Sequence, residues 1–319
     1  LRIVIPNLRN QFQQLGGTAH FNTEITGLEI KNGRCTGVIS TSGHFPCDLL
    51  IAAPGHSSYA TYRMLHRHGV AFRTKPFAIG VRTEHPQELI NMSQWQNPSL
   101  PGVKAAEYKL TFQASNGLPV YSFCMCPGGQ VVPSAPTDHQ NIVNGVSDYA
   151  RNSPWANAAI VAGMDLSREF GRAPEMEGAL EWLENLERMF YNLHHNYDIP
   201  GLRIDDFLQD KTSIRLPENS YPFNVFPWDM RNLLPAGIIE ALKEGFRDFS
   251  KKIKGFETGL MMGLESKTSS PVRVLRDEQR RCEGFENIFI VGEGSGYAGG
   301  ITSSAVDGVK AALGISRQG

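Results

Sequence analysis

The sequence predicts an α/β protein, α+β overall, in which two separated parallel-type strands flank a long and mostly antiparallel middle. Residues 48–53 and 287–291 are short apolar runs, typical of strands buried on both faces of a parallel sheet. Each run leads into a turn that contains glycine, at 53–56 and at 292–300. Between them, short strand candidates alternate with clusters of Pro, Gly and Asn. At 319 residues the chain is long enough for one large or two medium domains.

The composition excludes several functional classes. Hydrophobic residues at 41% and charged residues at 20% are typical of a globular protein rather than a disordered one. A net charge of −1 and a pI near 6.8 provide no field that would attract nucleic acid or an anionic membrane, so we expect neither as a partner. No apolar run reaches membrane-spanning length. Five cysteines without a disulfide-framework spacing favour a reducing, cytoplasmic location.

The N-terminal part begins with a predicted amphipathic helix. Apolar residues at positions 1, 4, 5, 8, 12 and 15 fall on one helical face, and Gly16 and Gly17 end the helix. The spacing then becomes that of strands, at 19–21, 25–30 and 35–40. Asn32 and Gly33 between two such runs predict a hairpin.

The middle of the chain, about 58–264, is predicted to be a mostly antiparallel sheet with helices. The predicted strands are 77–82, 108–112, 118–123, 129–132 and 158–164. The predicted helices are 57–68, 178–194 and 236–253. The stretch between the last two, rich in Pro and aromatic residues, is predicted to be loop.

The closing segment joins a strand, a glycine-rich turn and a helix that starts at Ile301. Gly294, Gly296 and Gly299 satisfy the G-x-G-x-x-G dinucleotide pattern. That pattern also needs a following strand and a distant acidic residue, for which the chain up to Gly319 leaves no room. Glycine backbones followed by a helix N-terminus still suit a phosphate or another electron-rich group.

Several stretches spread over the chain carry a resemblance to a known family. They are 53–57 (APGHS), 76–86 (PFAIGVRTEHP), 106–110 (AEYKL), 123–129 (FCMCPGG), 144–147 (NGVS), 265–274 (ESKTSSPVRV) and 292–300 (GEGSGYAGG). Together they resemble uncharacterised FAD-dependent dehydrogenases of the two-dinucleotide-binding-domain class, related to the HI0933-like and thioredoxin-reductase-like flavoproteins. The chain departs from that family at 265–268, where Glu-Ser-Lys-Thr replaces Glu-Thr-Arg-Thr. Lysine keeps the positive charge of the arginine but lacks the guanidinium, which can bind an anion through two parallel hydrogen bonds.

The resemblance implies an incomplete FAD/NAD(P)-binding Rossmann-like domain made of 1–57 and 265–319. A large substrate or cap domain, 58–264, would be inserted between these two pieces. The family opens with a βαβ unit that holds the FAD pyrophosphate, and no such unit is found in this sequence. We therefore expect a C-terminal fragment of a longer flavoprotein, with weak FAD affinity and little activity of its own.

The resemblance also assigns the cofactor site. In the family the acid at the position of Glu293 holds a sugar-alcohol hydroxyl of FAD, and the following helix points at the flavin ring. The expected FAD-binding residues are Ala53, Pro54, Gly55, His56, Gly292, Glu293, Gly294, Gly296, Tyr297, Gly299, Gly300 and Ile301. The implied activity is hydride transfer between FAD and a small-molecule substrate, with NAD(P)H as a candidate electron donor.

No residue stands out as a necessary acid or base. His85 beside Glu84 has the chemistry of an acid–base pair, but a solvated surface turn explains it equally well. Cys124 and Cys126 are either a redox pair or packing residues, and without a second paired motif they do not predict a metal site. Arg273 suits an anionic substrate or the flavin carbonyl, or else belongs to a hydrogen-bonded loop.

Two other interpretations of the chain stay open. It is either a non-enzymatic binding or scaffold module with empty glycine turns, or one half of a split flavoenzyme that a partner chain completes. The sequence does not identify the substrate or the oligomeric state.

Overall fold

The computed structural model describes residues 3–317. Its helices are α1 (Val4–Gln14), α2 (Tyr59–Arg67), α3 (Gln87–Trp95), α4 (Leu166–Phe170), α5 (Met176–Asn192), α6 (Ile204–Leu208), α7 (Ala236–Lys252) and α8 (Ile301–Ser316). Its strands are β1 (Ile25–Lys31), β2 (Arg34–Ser40), β3 (Gly43–Pro46), β4 (Leu50–Ala52), β5 (Phe72–Thr74), β6 (Phe77–Pro86), β7 (Thr111–Gln113), β8 (Pro119–Cys126), β9 (Gly129–Pro133), β10 (Val143–Ser147), β11 (Trp155–Met164), β12 (Ile199–Arg203), β13 (Val225–Pro227), β14 (Leu260–Glu265), β15 (Val272–Val274) and β16 (Ile288–Ile290).

The largest sheet has the strand order β13-β12-β14-β6-β11-β8-β7, and its pairs are antiparallel except for β12 with β13. One face packs against α7, where Ile238, Leu242 and Phe249 are buried at helical spacing. The other face is covered by the β9–β10 hairpin. There Gly145 lies so close to the Arg82 guanidinium that a Cβ would stand 2.0 Å from one of its nitrogens. The mostly antiparallel middle is therefore confirmed.

A smaller lobe contains the strands that were predicted to be parallel. β4 and β16 pair in parallel, from Leu50 with Ile288 to Ala52 with Ile290. The Asn287 side chain joins them to β2, because its Oδ1 accepts from the Cys35 amide at 2.8 Å and its Nδ2 donates to the Cys35 carbonyl at 2.7 Å. The antiparallel sheet β1-β2-β3 lies beside them.

The predicted hairpin is present between β1 and β2. Asn32 and Gly33 both adopt positive φ, at 51° and 75°, as a tight two-residue turn requires. The strand predicted at 19–21 is wrong: that segment is irregular and Phe21 is 67% exposed. A short extended run becomes a strand only where a second strand pairs with it, and within residues 3–317 none does.

The prediction of a loop between α5 and α7 is also wrong, because β12, α6 and β13 lie there. β12 contains Pro200 and Gly201, which weaken any strand pattern in the sequence. Its partners β14 and β13 hold it in the sheet through pairings that are distant along the chain.

The apolar faces of α1 and α8 are largely exposed. On α1, Val4, Leu8 and Phe12 are each more than half exposed, so the predicted amphipathic pattern has no partner surface within the described residues, and Leu1 lies outside them. On α8, Val309 and Leu313 are similarly exposed. No helix among residues 3–317 combines the length and apolar character needed to cross a membrane.

Candidate functional site

The two glycine turns meet at one edge of the parallel pair, since they follow adjacent parallel strands. A Cβ at Gly294 would stand 2.8 Å from the Gly55 carbonyl oxygen, so the two backbones are in direct contact. Gly55 adopts a φ of 78°, and its carbonyl accepts from the Tyr62 hydroxyl at 2.7 Å. An apolar cleft of about 370 Å³ borders the first turn, between β1, β4 and α2.

The closing turn follows a path that its glycines permit. Gly292, Gly296 and Gly300 have φ values of 70°, 81° and 104°. A Cβ at Gly296 would stand 2.3 Å from the Val272 carbonyl oxygen, so this position packs against β15. A Cβ at Gly300 would meet nothing within 4 Å, and just before α8 the Gly299 amide donates to the Ser303 hydroxyl at 3.2 Å. The structure thus brings the predicted turn residues together around the N-terminus of α8.

Asp307 on α8 fixes the position of this turn. Its Oδ2 accepts from the Gly292 amide at 2.9 Å, and Arg276 donates to both of its oxygens at 2.9 Å. Burial alone would raise the carboxyl pKa, but Arg276, the Gly292 amide and Arg280 together hold the pKa of Asp307 below its usual range. The strand end and the helix are therefore locked by a charged residue that the sequence reasoning missed. An acidic residue within the otherwise mostly apolar and small-residue pattern of α8 was the available signal.

His56 is the most unusual side chain at the site. It is 6% exposed, yet neither ring nitrogen has a hydrogen-bond partner within the described part of the chain. Burial, with the nearby charges of Lys267 and Lys75, lowers the pKa of His56 to about 4 against the opposing effect of the nearby Ser269 backbone, so the ring is neutral near pH 7. Buried polar groups in folded proteins are nearly always paired, so a neutral imidazole without a partner indicates a place for a ligand.

Two further cations lie near His56 and the closing turn. The Arg273 guanidinium is 5.6 Å from the centre of the Tyr297 ring, and its buried Nε has no partner within residues 3–317. Burial and the charge of Arg273 lower the pKa of Lys75. Among the described residues neither cation has a carboxylate oxygen within 4.0 Å. The site therefore carries positive charge that an anionic ligand could balance.

Lys267, by contrast, is already neutralised. Its Nζ lies 2.8 Å from Glu187 Oε1 and donates to the Tyr59 hydroxyl at 2.7 Å. The Ser266 hydroxyl donates to the same Glu187 oxygen at 2.7 Å. Glu187 is fully buried on α5 between Leu183 and Phe190, and a carboxylate within an apolar helical stripe was the sequence signal that was overlooked. Most polar side chains of the loop 266–270 thus have hydrogen-bond partners within the protein and are not left free for an anion.

The remaining catalytic candidates lie away from the turns. His85 is fully buried, its ring lies 4.4 Å from the Phe256 ring at an angle of 37°, and it bonds the Phe256 carbonyl at 2.7 Å. Glu84 points to the opposite face of β6, where both of its oxygens accept from Ser220. Neither interpretation of His85 and Glu84 holds: adjacent residues of a strand face opposite sides, so the two do not pair, and both are buried rather than in a solvated surface turn. Cys124 and Cys126 lie at the end of β8 in the large sheet.

Comparisons with known proteins agree with the resemblance seen in the sequence. The family model described as "FAD-dependent protein, C-terminal domain-like" matches residues 76–268. A curated protein from Clostridium beijerinckii, described as uncharacterized, is 39% identical over 319 residues, which is 98% of this chain and 60% of that protein. This chain thus spans about three-fifths of the length of that curated relative.

Among solved structures, CtdE in complex with FAD matches at 10% identity with a TM-score of 0.33, over 96% of this chain and 57% of that one. So weak a likeness carries no inference about the site. The family match covers more than half of the chain, and the cofactor in the family's description is FAD. This chain belongs to the family of FAD-dependent proteins with this C-terminal domain.

Proposed function

We propose that the protein is an FAD-dependent oxidoreductase of the dehydrogenase type, and that the FAD lies across the two glycine turns. The observation that carries the proposal is the His56 imidazole, which is buried beside the first turn without a hydrogen-bond partner among the described residues. A neutral imidazole can donate through one nitrogen and accept through the other. The flavin ring offers both carbonyl and N–H groups, so the residue fits the cofactor.

The two turns supply the backbone surface for binding. Gly300 has no side chain to block the approach of a ligand to the backbone, and the N-terminus of α8 favours negative charge. Burial raises the pKa of Glu293, and the Gly300 amide partly opposes that rise. The Glu293 carboxylate would accept a hydrogen bond from a hydroxyl of the ribityl chain.

FAD, when bound, supplies the capacity to accept or donate a hydride. The residues of this chain orient it and set the electrostatic field around it. Lys75, Arg273 and the N-terminus of α8 make the site positive, which would favour electron uptake by a group bound there. The Lys267–Glu187 ion pair adds no net charge to the site.

The exposed apolar faces of α1 and α8 suggest that the FAD site needs further polypeptide to be complete. Contiguous apolar surface on a folded chain indicates a contact surface. The curated relative is longer than this chain, and we propose that additional polypeptide covers these faces and completes the FAD site. A low FAD affinity of residues 1–319 alone is part of this proposal.

The test is flavin retention measured by visible absorbance on two purified polypeptides, the present chain and a longer form that includes upstream sequence. We expect flavin bands from the longer form and little or none from the present chain. In the longer form, His56→Leu should lower flavin occupancy, while His20→Leu, at an exposed position, should leave it unchanged. Equal retention by both variants would remove His56 from the site, and no flavin in either polypeptide would favour a non-enzymatic module.

A further inference from the structure

A second reactive centre lies at the end of β8, apart from the two glycine turns. β8 pairs with β11 through Phe123 with Ala159 and Cys126 with Asn157, so two residues of β8 oppose one residue of β11. This is a β-bulge, and Cys124 within it has a φ of 45°, which non-glycine residues rarely adopt. Such bulges re-aim side chains, and this one leaves the Cys124 side chain exposed while Cys126 is buried.

A fully buried arginine holds the bulge in place. One terminal nitrogen of Arg82 donates to the Cys124 carbonyl at 2.7 Å and to the Cys126 sulfur at 3.3 Å. Its other groups bond Asn157 Oδ1 at 2.9 Å and Glu265 Oε2 at 3.1 Å. The guanidinium is 0% exposed under Gly145, so its charge acts on the cysteine pair with little screening by water.

These contacts make the two thiols unequal. The interaction with the Cys126 thiol, which also donates to the Cys124 carbonyl at 3.4 Å, and the charge of Arg82 lower the pKa of Cys124, although burial opposes the shift. The same interaction with Cys124, and burial, raise the pKa of Cys126. The charged groups that face the pair are Arg82 from β6 and Glu265 from β14, and the Tyr108 hydroxyl lies near both Arg82 and Cys126. An exposed thiolate beside a buried, protonated thiol is the arrangement of an attacking and a resolving cysteine.

We propose that Cys124 and Cys126 form a dithiol centre that reduces small disulfides by thiol–disulfide exchange. The Cys124 thiolate attacks one sulfur of the disulfide, a mixed disulfide forms, and the other half leaves as a thiolate. The Cys126 thiol then loses its proton and attacks the Cys124 sulfur, which releases the second half as a thiolate. The two cysteines end as a disulfide, oxidised by two electrons, and the substrate disulfide is reduced to two thiols.

The first experiment uses dithiobis(nitrobenzoate), a disulfide that releases a coloured thiolate, on the reduced full chain. Both cysteines fall in the tryptic peptide 110–151, which contains no other cysteine. We expect wild-type protein to yield this peptide two hydrogen masses lighter and without label, whereas Cys126→Ser should retain one nitrothiobenzoate on Cys124. Cys282→Ser, which removes a buried cysteine on another element, should behave as wild type. Persistent label on the wild-type peptide would overturn the resolving role of Cys126.

The second experiment tests the thiolate on wild-type protein and does not depend on any variant folding. The rate of Cys124 alkylation by iodoacetamide, followed on the same peptide, should rise with an apparent pKa clearly below 9, the value of an ordinary cysteine. Near neutral pH it should exceed that of Cys47, whose pKa burial raises to about 11, by about tenfold or more. An apparent pKa near 9, the value of an ordinary cysteine, would overturn the proposal.

Discussion

Asp307 Oδ2 and the Gly292 amide lie 2.9 Å apart, which ties the middle of α8 to the first residue of the closing turn. The same carboxylate pairs with Arg276, and both side chains are nearly buried, at 10% and 5% exposed. Asp307→Asn would leave the arginine charge buried and unpaired, so we expect a loss of about 3 kcal/mol in the free energy of unfolding, measured by urea denaturation.

Asp277→Asn is the matched control for this experiment. Asp277 pairs with Arg281 at 3.0 Å, but both side chains are about one-third exposed. Its removal should cost less than about 1 kcal/mol. Equal losses in the two variants would show that Asp307 does not anchor the turn.

Two glycines near the site should respond in opposite ways to the same substitution. In Gly294→Ala the new methyl group would stand 2.8 Å from the Gly55 carbonyl oxygen, so the two turns must separate and the protein should lose stability and flavin binding. In Gly308→Ala the methyl group meets nothing within 4 Å on α8, and helix propensity should add about 0.5–1 kcal/mol. Thermal unfolding of both variants tests this, and a neutral Gly294→Ala would contradict the direct contact between the turns.

Glu293 is expected to contribute binding rather than stability. If its carboxylate accepts a hydrogen bond from bound FAD, Glu293→Ala in the longer form should lose about 1.5–3 kcal/mol of binding, or roughly a 10- to 100-fold rise in the FAD dissociation constant. Glu293→Gln keeps an accepting oxygen and should lose less. Fluorescence titration with FAD measures both constants, and identical affinities for wild type and Glu293→Ala would exclude this contact.

Glu84 should make the free energy of unfolding fall as pH rises, whereas a carboxylate in a salt bridge makes it rise. Burial raises the pKa of Glu84 to about 7, from an ordinary value of 4.5, although Ser220 opposes the rise. The folded state therefore binds the proton more tightly than the unfolded state, and the free energy of unfolding falls as pH rises from 4.5 to about 7.

Glu84→Gln removes this titration. The stability of wild type relative to the variant should decrease by about 2–3 kcal/mol across that window, as measured by urea denaturation at several pH values. Glu88→Gln, at an exposed position, should change stability by less than about 0.5 kcal/mol throughout. A pH-independent difference between wild type and Glu84→Gln would show that Glu84 stays ionised.

Local chemistry in the sequence was enough to predict part of this molecule. Asn32 and Gly33 predicted their hairpin because the turn itself demands positive φ, and the apolar runs at 48–53 and 287–291 predicted β4 and β16 because burial on both faces needs such runs. The structure then paired these strands in parallel. What escaped prediction depends on partners distant along the chain. β12 is a strand only because β14 and β13 flank it.

In the candidate site, too, features set by local sequence were predictable and features set by distant contacts were not. The glycine turns were visible as sequence patterns, whereas the neutralisation of Lys267, in the loop after β14, depends on Glu187, which lies on α5. Nothing in the residues around Lys267 indicates that contact. In the same way, neither interpretation of His85 and Glu84 holds, because strand geometry sends neighbouring side chains to opposite faces and the surrounding sheet buries both.

The parallel pair of β4 and β16 has a consequence for the order of folding. The two strands come from residues 50–52 and 288–290, so their pairing closes a loop that contains the whole large sheet. Loop-closure entropy opposes such distant contacts until the intervening chain has become compact. The lobe with the glycine turns should therefore form last, and in pulsed hydrogen exchange the Val291 amide, which donates to the Ala52 carbonyl, should gain protection after the amides of β11. The site proposed for FAD would then assemble only on a chain whose central sheet has already folded.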